Sequence, residues 1–132
     1  MTLTDFHTHR HDAAAAIISM SPAMAKSFIL KNPEAKISVG IHPWDTVDTA
    51  SLELLDNVAA MSQVVAIGET GLDKLRGASV AVQTDILRRH VELSERLHKP
   101  LIIHCVKAWD MLLGIRREMN PSQPWGIHGF RG

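Results

Sequence analysis

Short apolar runs separated by longer stretches of helical spacing constrain this chain more than any other feature. They cover residues 3–7, 37–41, 64–68, 101–104 and 125–128, with 16–20 as a weaker sixth. A short run that is apolar on both faces reads as a strand covered on both sides. Between the runs, Ser21-Pro22 offers a hydroxyl cap followed by proline in the first turn of a helix. Residues 51–61 place Leu52, Leu55, Val58 and Ala59 on one side. The clearest helix covers 79–98, where Val80, Gln83, Leu87, Val91, Ser94 and Leu97 trace a stripe that should face a sheet. Arg88, Arg89, Glu92 and Glu95 occupy its other side, His90 and His98 read as surface residues, and Pro100 stops it. A further helix over 108–119 precedes Pro121 and Pro124. This alternation predicts an α/β fold with a parallel sheet covered by helices.

Composition narrows the function classes. The 132 residues suffice for one domain, and a hydrophobic content of 45% supplies a core. Lys and Arg number 14, as do Asp and Glu, so no global basic field draws nucleic acid, and a polyanion must be held by local cations or metals. The single Cys105 cannot close an internal disulfide, which points to a reducing compartment, and it reads as a small core residue. No secretory leader is read at the start, and the run 13–18 is too short to span a bilayer, so a cytoplasmic location is expected.

The residues that end the runs carry the chemistry. His7 and His9 alternate along one strand and so share a face. Glu69 follows Val64-Val65-Ala66-Ile67-Gly68, His104 follows Leu101-Ile102-Ile103, and His128 follows Trp125-Gly126-Ile127. Parallel α/β folds gather ligands at the carboxyl ends of their strands, which would bring these five side chains to one mouth. Imidazoles with one shared carboxylate suit two nearby divalent cations, and such a pair activates water for hydrolysis.

Plainer roles compete at each position. His104 alone reads as a buried core histidine, Glu69 as a loop carboxylate, and His42 as shaping the turn before Pro43. His11 has no evident partner. Lys74, Arg76, Lys107 and Arg131 follow strand ends, where cations could receive a phosphate, and Arg131 is the preferred one. Trp44 and Trp109 either stack on a base or pack helices, packing being preferred, and Asp73 reads as a hydrogen-bonding support rather than a ligand.

Asp5-Phe6-His7-Thr8-His9, Gly40-Ile41-His42-Pro43-Trp44, Gly68-Glu69-Thr70-Gly71-Leu72-Asp73, Ile103-His104-Cys105 and Ile127-His128-Gly129-Phe130 together resemble the successive signatures of TatD-type metal-dependent hydrolases. The resemblance implies an incomplete TIM-like (β/α) barrel here, with about five or six parallel strands and outer helices. It also implies that His7 and His9 hold one metal and His104 and His128 a second. Glu69 would bridge them as the catalytic carboxylate, and His42 would contact substrate, to which the position of Arg131 just after His128 adds a second expected substrate contact. Zinc, manganese or magnesium would all be accepted.

A full barrel takes eight strands and ~250 residues. Residues 1–132 are therefore expected to be the front part of a longer hydrolase, with the family's remaining strands, and an Asp of the first metal site, lying beyond it. The full-length activity implied is a phosphodiesterase or deoxyribonuclease acting on nucleic acid or a small phosphoester. The piece itself is expected to bind one metal better than two, to hydrolyse little, and either to self-associate through open barrel edges or to be marginally stable. The alternatives are an amide or ester hydrolase acting on a small metabolite, or a non-catalytic remnant that self-associates.

Overall fold

A computed structural model describes residues 17–45 and 47–131, with the backbone alone at 129–131. The order is β1 (Ile18–Met20), α1 (Pro22–Lys31), β2 (Ile37–Val39), α2 (Thr49–Ala59), β3 (Val64–Asp73), α3 (Val80–Leu97), β4 (Leu101–Val106), α4 (Trp109–Met119) and β5 (Trp125–Arg131). All neighbouring strands pair in parallel, in the order β1-β2-β3-β4-β5. Sequential strands joined by right-handed crossovers put every helix on one face, as in the wall of a barrel. The fold class expected from sequence therefore stands, and among the described residues the sheet is open, with β1 and β5 at its edges. The run 3–7 lies outside the described residues, whereas the weaker run 16–20 supplies β1.

Helix boundaries follow local chemistry. Ser21, Asp48 and Ser79 each accept a backbone N–H in the first turn of α1, α2 and α3. His98 and Asn120 terminate α3 and α4 in the left-handed conformation, with φ of 55° and 47°.

Alternation along β4 divides the sheet into two faces. Leu101, Ile103 and Cys105 join a core with Leu87 and Val91 of α3 and Leu112 and Ile115 of α4. Ile102, His104 and Val106 must then point to the opposite, inner face. Burying each Leu or Val of the helix-side core stabilises the fold by roughly 1.5–3 kcal/mol.

Two expectations need correction. The strands do not stop at the candidate ligands: β3 continues through Glu69 to Asp73, and β4 continues through His104 to Val106. The Gly-Glu-Thr-Gly segment looks like a loop, yet Thr70, Gly71, Leu72 and Asp73 pair with Ile103, His104, Cys105 and Val106. Glycine permits the approach. Gly71 has a φ of 151°, and a Cβ there would stand 1.9 Å from the His104 carbonyl oxygen. The second correction is His90, which is wholly buried rather than on the surface. Its Nδ1–H donates to the Ile86 carbonyl at 2.8 Å, and its Nε2 accepts the Ile41 N–H at 2.9 Å.

Candidate metal centre

Glu69, carried by β3, is 5% exposed and lies between two imidazoles. The segment leaving β2 delivers His42, and β4 delivers His104. His42 Nε2 and His104 Nδ1 both lie 3.1 Å from Glu69 Oε1. The three side chains offer ligand atoms all within 4.8 Å of one another. Beyond His104, its Nε2 lies 3.0 Å from Asp73 Oδ2, and the Trp44 indole N–H donates to that same oxygen at 2.6 Å. A cavity of about 450 Å³ opens beside Glu69, bounded by Met20, Met24, His42 and Trp44 among others.

Buried polar groups hold this array from behind. Gln83, on α3, accepts the Asp73 N–H at 2.7 Å through Oε1 and donates through Nε2 to the Asp73 carbonyl at 3.0 Å. The same Nε2 reaches the carbonyls of Arg76 and Ala78, so one amide fixes the whole turn after β3. Ser38 Oγ donates to the Gly68 carbonyl at 2.6 Å, immediately before Glu69. His90, by accepting the Ile41 N–H, ties the His42 segment to α3.

Tautomers separate the roles of the two histidines. His42 Nδ1 accepts the Trp44 backbone N–H at 3.2 Å, so a neutral ring carries its proton on Nε2 and donates to Glu69. Burial disfavours the Asp73 carboxylate, but hydrogen bonds from Trp44, His104 and Leu75 outweigh it and hold Asp73 below its ordinary pKa. Ionised Asp73 requires a proton on His104 Nε2. A neutral His104 then aims the lone pair of Nδ1 at Glu69 Oε1, an arrangement that repels unless positive charge sits between them. Burial opposes a charged ring here too, yet Glu69 and Asp73 together raise His104 above its ordinary pKa. A proton meets this demand, and so does a cation. Ligand atoms each ~2.1 Å from one ion lie about 3.0–3.4 Å apart, and the 3.1 Å separation of His104 Nδ1 from Glu69 Oε1 fits.

The structure brings together Glu69, His104 and His42. His128 stands in register with His104 on the adjacent parallel strand, hence on the same face, and is exposed. Arg131 ends β5 in register with Val106. His7 and His9 lie outside the described residues. The Arg76 guanidinium sits 4.0 Å from the Trp44 ring centroid. Trp109 packs against the core, and Cys105 is buried on the helix side, where burial pushes its thiol up. Sequence reasoning missed Trp44 as an Asp73 partner, and it missed Gln83, Ser38 and His90 as braces.

The sequence profile of the TatD related DNases matches residues 5–132. The chain belongs to that family. Among TatD relatives, an uncharacterized metal-dependent hydrolase of Buchnera aphidicola (subsp. Baizongia pistaciae) is 36% identical over 106 residues, which cover 78% of this chain and 40% of that one. The 3'-5' ssDNA/RNA exonuclease TatD of Erwinia billingiae is 33% identical over 102 residues, or 72% of this chain and 38% of its own. In three dimensions the chain superposes on YJJV, a TatD homologue from Escherichia coli, with a TM-score of 0.76 and 26% identity, covering 89% of this chain and 49% of that one. The chain thus spans about 40% of the length of the curated relatives it matches.

Proposed function

We propose that this chain contributes the front half of a metal-dependent phosphodiesterase site whose substrate is nucleic acid. The carrying observation is the 3.1 Å approach of His104 Nδ1 to Glu69 Oε1, with Asp73 pinning the far nitrogen of the same ring. Membership of a family with an ssDNA/RNA exonuclease in it supports the substrate class.

In this reading Glu69, His104 and His128 hold one divalent cation, and His7 and His9 share Glu69 in holding a second. The donor set of imidazoles and one carboxylate accepts zinc or manganese, and magnesium less readily. When bound, such cations supply charge that acidifies water and offsets the negative charge gathering on phosphoryl oxygens. Asp73 keeps the His104 proton on Nε2, so Nδ1 stays available to a ligand. His42 donates to Glu69 and stands at the rim of the cavity, where its imidazole is placed to contact substrate. Arg131 follows His128 closely on β5 and is assigned the substrate phosphate.

The test strips the protein with chelator, reloads it with zinc, manganese or magnesium, and offers single-stranded DNA, RNA and small carboxyl esters. Tight metal binding by this chain, lost in Glu69→Gln, is the expected outcome, with metal-dependent cleavage of the oligonucleotides expected only once the rest of the barrel is supplied. Outer partners of ligands cost 10–100-fold in affinity, so loss of Glu69 itself should cost about 100-fold or more. Cleavage of esters alone would replace nucleic acid with a small metabolite.

A further inference from the structure

We propose that Trp44 is a positioning residue of this centre: its indole N–H orients the Asp73 carboxylate that fixes His104, so a side chain at the mouth sets how tightly the site grips its cation. The inference rests on reading Glu69 and His104 as ligands.

Asp73 has little freedom except at its carboxylate. Gln83 binds both its N–H and its carbonyl, which immobilises the backbone. Oδ1 accepts the Leu75 N–H at 2.9 Å. Oδ2 receives two donors, Trp44 Nε1 at 2.6 Å and His104 Nε2 at 3.0 Å. Loss of either donor lets the carboxylate rotate away from the other, because one torsion moves both oxygens. Trp44 is itself held firmly. Its backbone N–H donates to His42 Nδ1, and its ring lies edge-on to His42 and His104, with centroids 4.6 and 5.4 Å away. Arg76 covers a face of the ring at 4.0 Å. Yet Trp44 is 42% exposed, while Asp73 beneath it is 4% exposed. It is therefore the solvent-facing end of a hydrogen-bonded line that runs inward to His104.

An indole N–H does not titrate in the working range, so this donor acts by orientation and leaves the proton inventory unchanged. Direct outer partners of a metal-bound histidine are worth 10–100-fold in affinity, and Trp44 is one bond further out. About a tenfold loss is expected from Trp44→Phe, which keeps an aromatic ring against Arg76 and the histidines and removes only the donor.

Zinc titration calorimetry on the wild-type protein, Trp44→Phe, Asp73→Asn and the double variant tests this, with circular dichroism confirming the fold. The single variants should both bind more weakly, and the double variant should be no weaker than Asp73→Asn, because Trp44 acts through Asp73. Wild-type affinity in Trp44→Phe, or losses that simply add, would overturn the inference. Failure of the wild-type protein to bind zinc would instead overturn the ligand reading, and this inference with it. Should Asp73→Asn not fold, the indole resonance of Trp44 decides. It should shift on zinc addition while that of Trp109 stays, and an unmoved Trp44 signal would contradict the proposal.

Discussion

On the helix-facing side of β4, Leu101, Ile103 and Cys105 disappear into a core shared with α3 and α4. On the other side of the same strand, His104 is held between two carboxylates, each within 3.1 Å of one ring nitrogen. The first surface is stabilised by area, without direction, so many apolar residues could serve. The second depends on a few directed hydrogen bonds in which Glu69 Oε1 and Asp73 Oδ2 each serve two partners, so one atom out of place disturbs several contacts at once. Stability and chemistry are thus assigned to opposite faces of the same strand.

The largest effect expected lies on the helix side. Leu87→Ala should cost about 2–5 kcal/mol of stability by denaturant titration, through lost burial and the cavity left behind. Zinc affinity of the folded fraction should persist. A variant that lost zinc as well would show that the two faces are coupled.

His90 tests the exception, a titratable group on the helix side. Burial holds its pKa down to about 4 against an ordinary 6.5, and contact with the Ile86 carbonyl only partly offsets this. The unfolded chain therefore binds the extra proton between those values. The contribution is complete above pH 6.5 and is lost as pH falls towards 4, amounting to about 3 kcal/mol. Urea denaturation of the wild-type protein at pH 7, 5.5 and 4.5 should show this acid slope. His90→Gln, which keeps an acceptor for Ile41 but cannot titrate, should flatten it. An unchanged slope would show that other groups set the acid response.

The smallest effect is at the surface. Arg88 and Glu118 join α3 to α4 at 2.5 Å, but Glu118 is 62% exposed. Arg88→Ala should leave the midpoint of urea denaturation almost unchanged, since exposed ion pairs are screened and cost side-chain entropy.

The outer face was readable because periodicity reports it directly: Gln83, Leu87, Val91 and Ser94 all lie on the buried stripe of α3. Position 90 falls on that stripe too, three residues after Leu87, but its polarity hid it. Only the Ile41 N–H, 49 residues away in sequence, satisfies its second nitrogen. Ligand-type residues on the inner face were legible as residue types, and Glu69 and His104 do meet. Their placement within longer strands was not, because a segment as rich in glycine as Gly68 to Gly71 pairs only when β4 supplies its partners. Trp44 was invisible as a donor to Asp73 for a similar reason. An indole at a turn has no preferred partner until the fold brings a carboxylate from β3 beneath it.

Anomalous diffraction from crystals of the protein soaked in zinc examines the central claim most directly. The account predicts a peak between Glu69 Oε1 and His104 Nδ1, with His104 Nε2 still bonded to Asp73. A peak elsewhere, or a zinc-soaked crystal with His104 Nδ1 bonded directly to Glu69 and no metal between them, would contradict it.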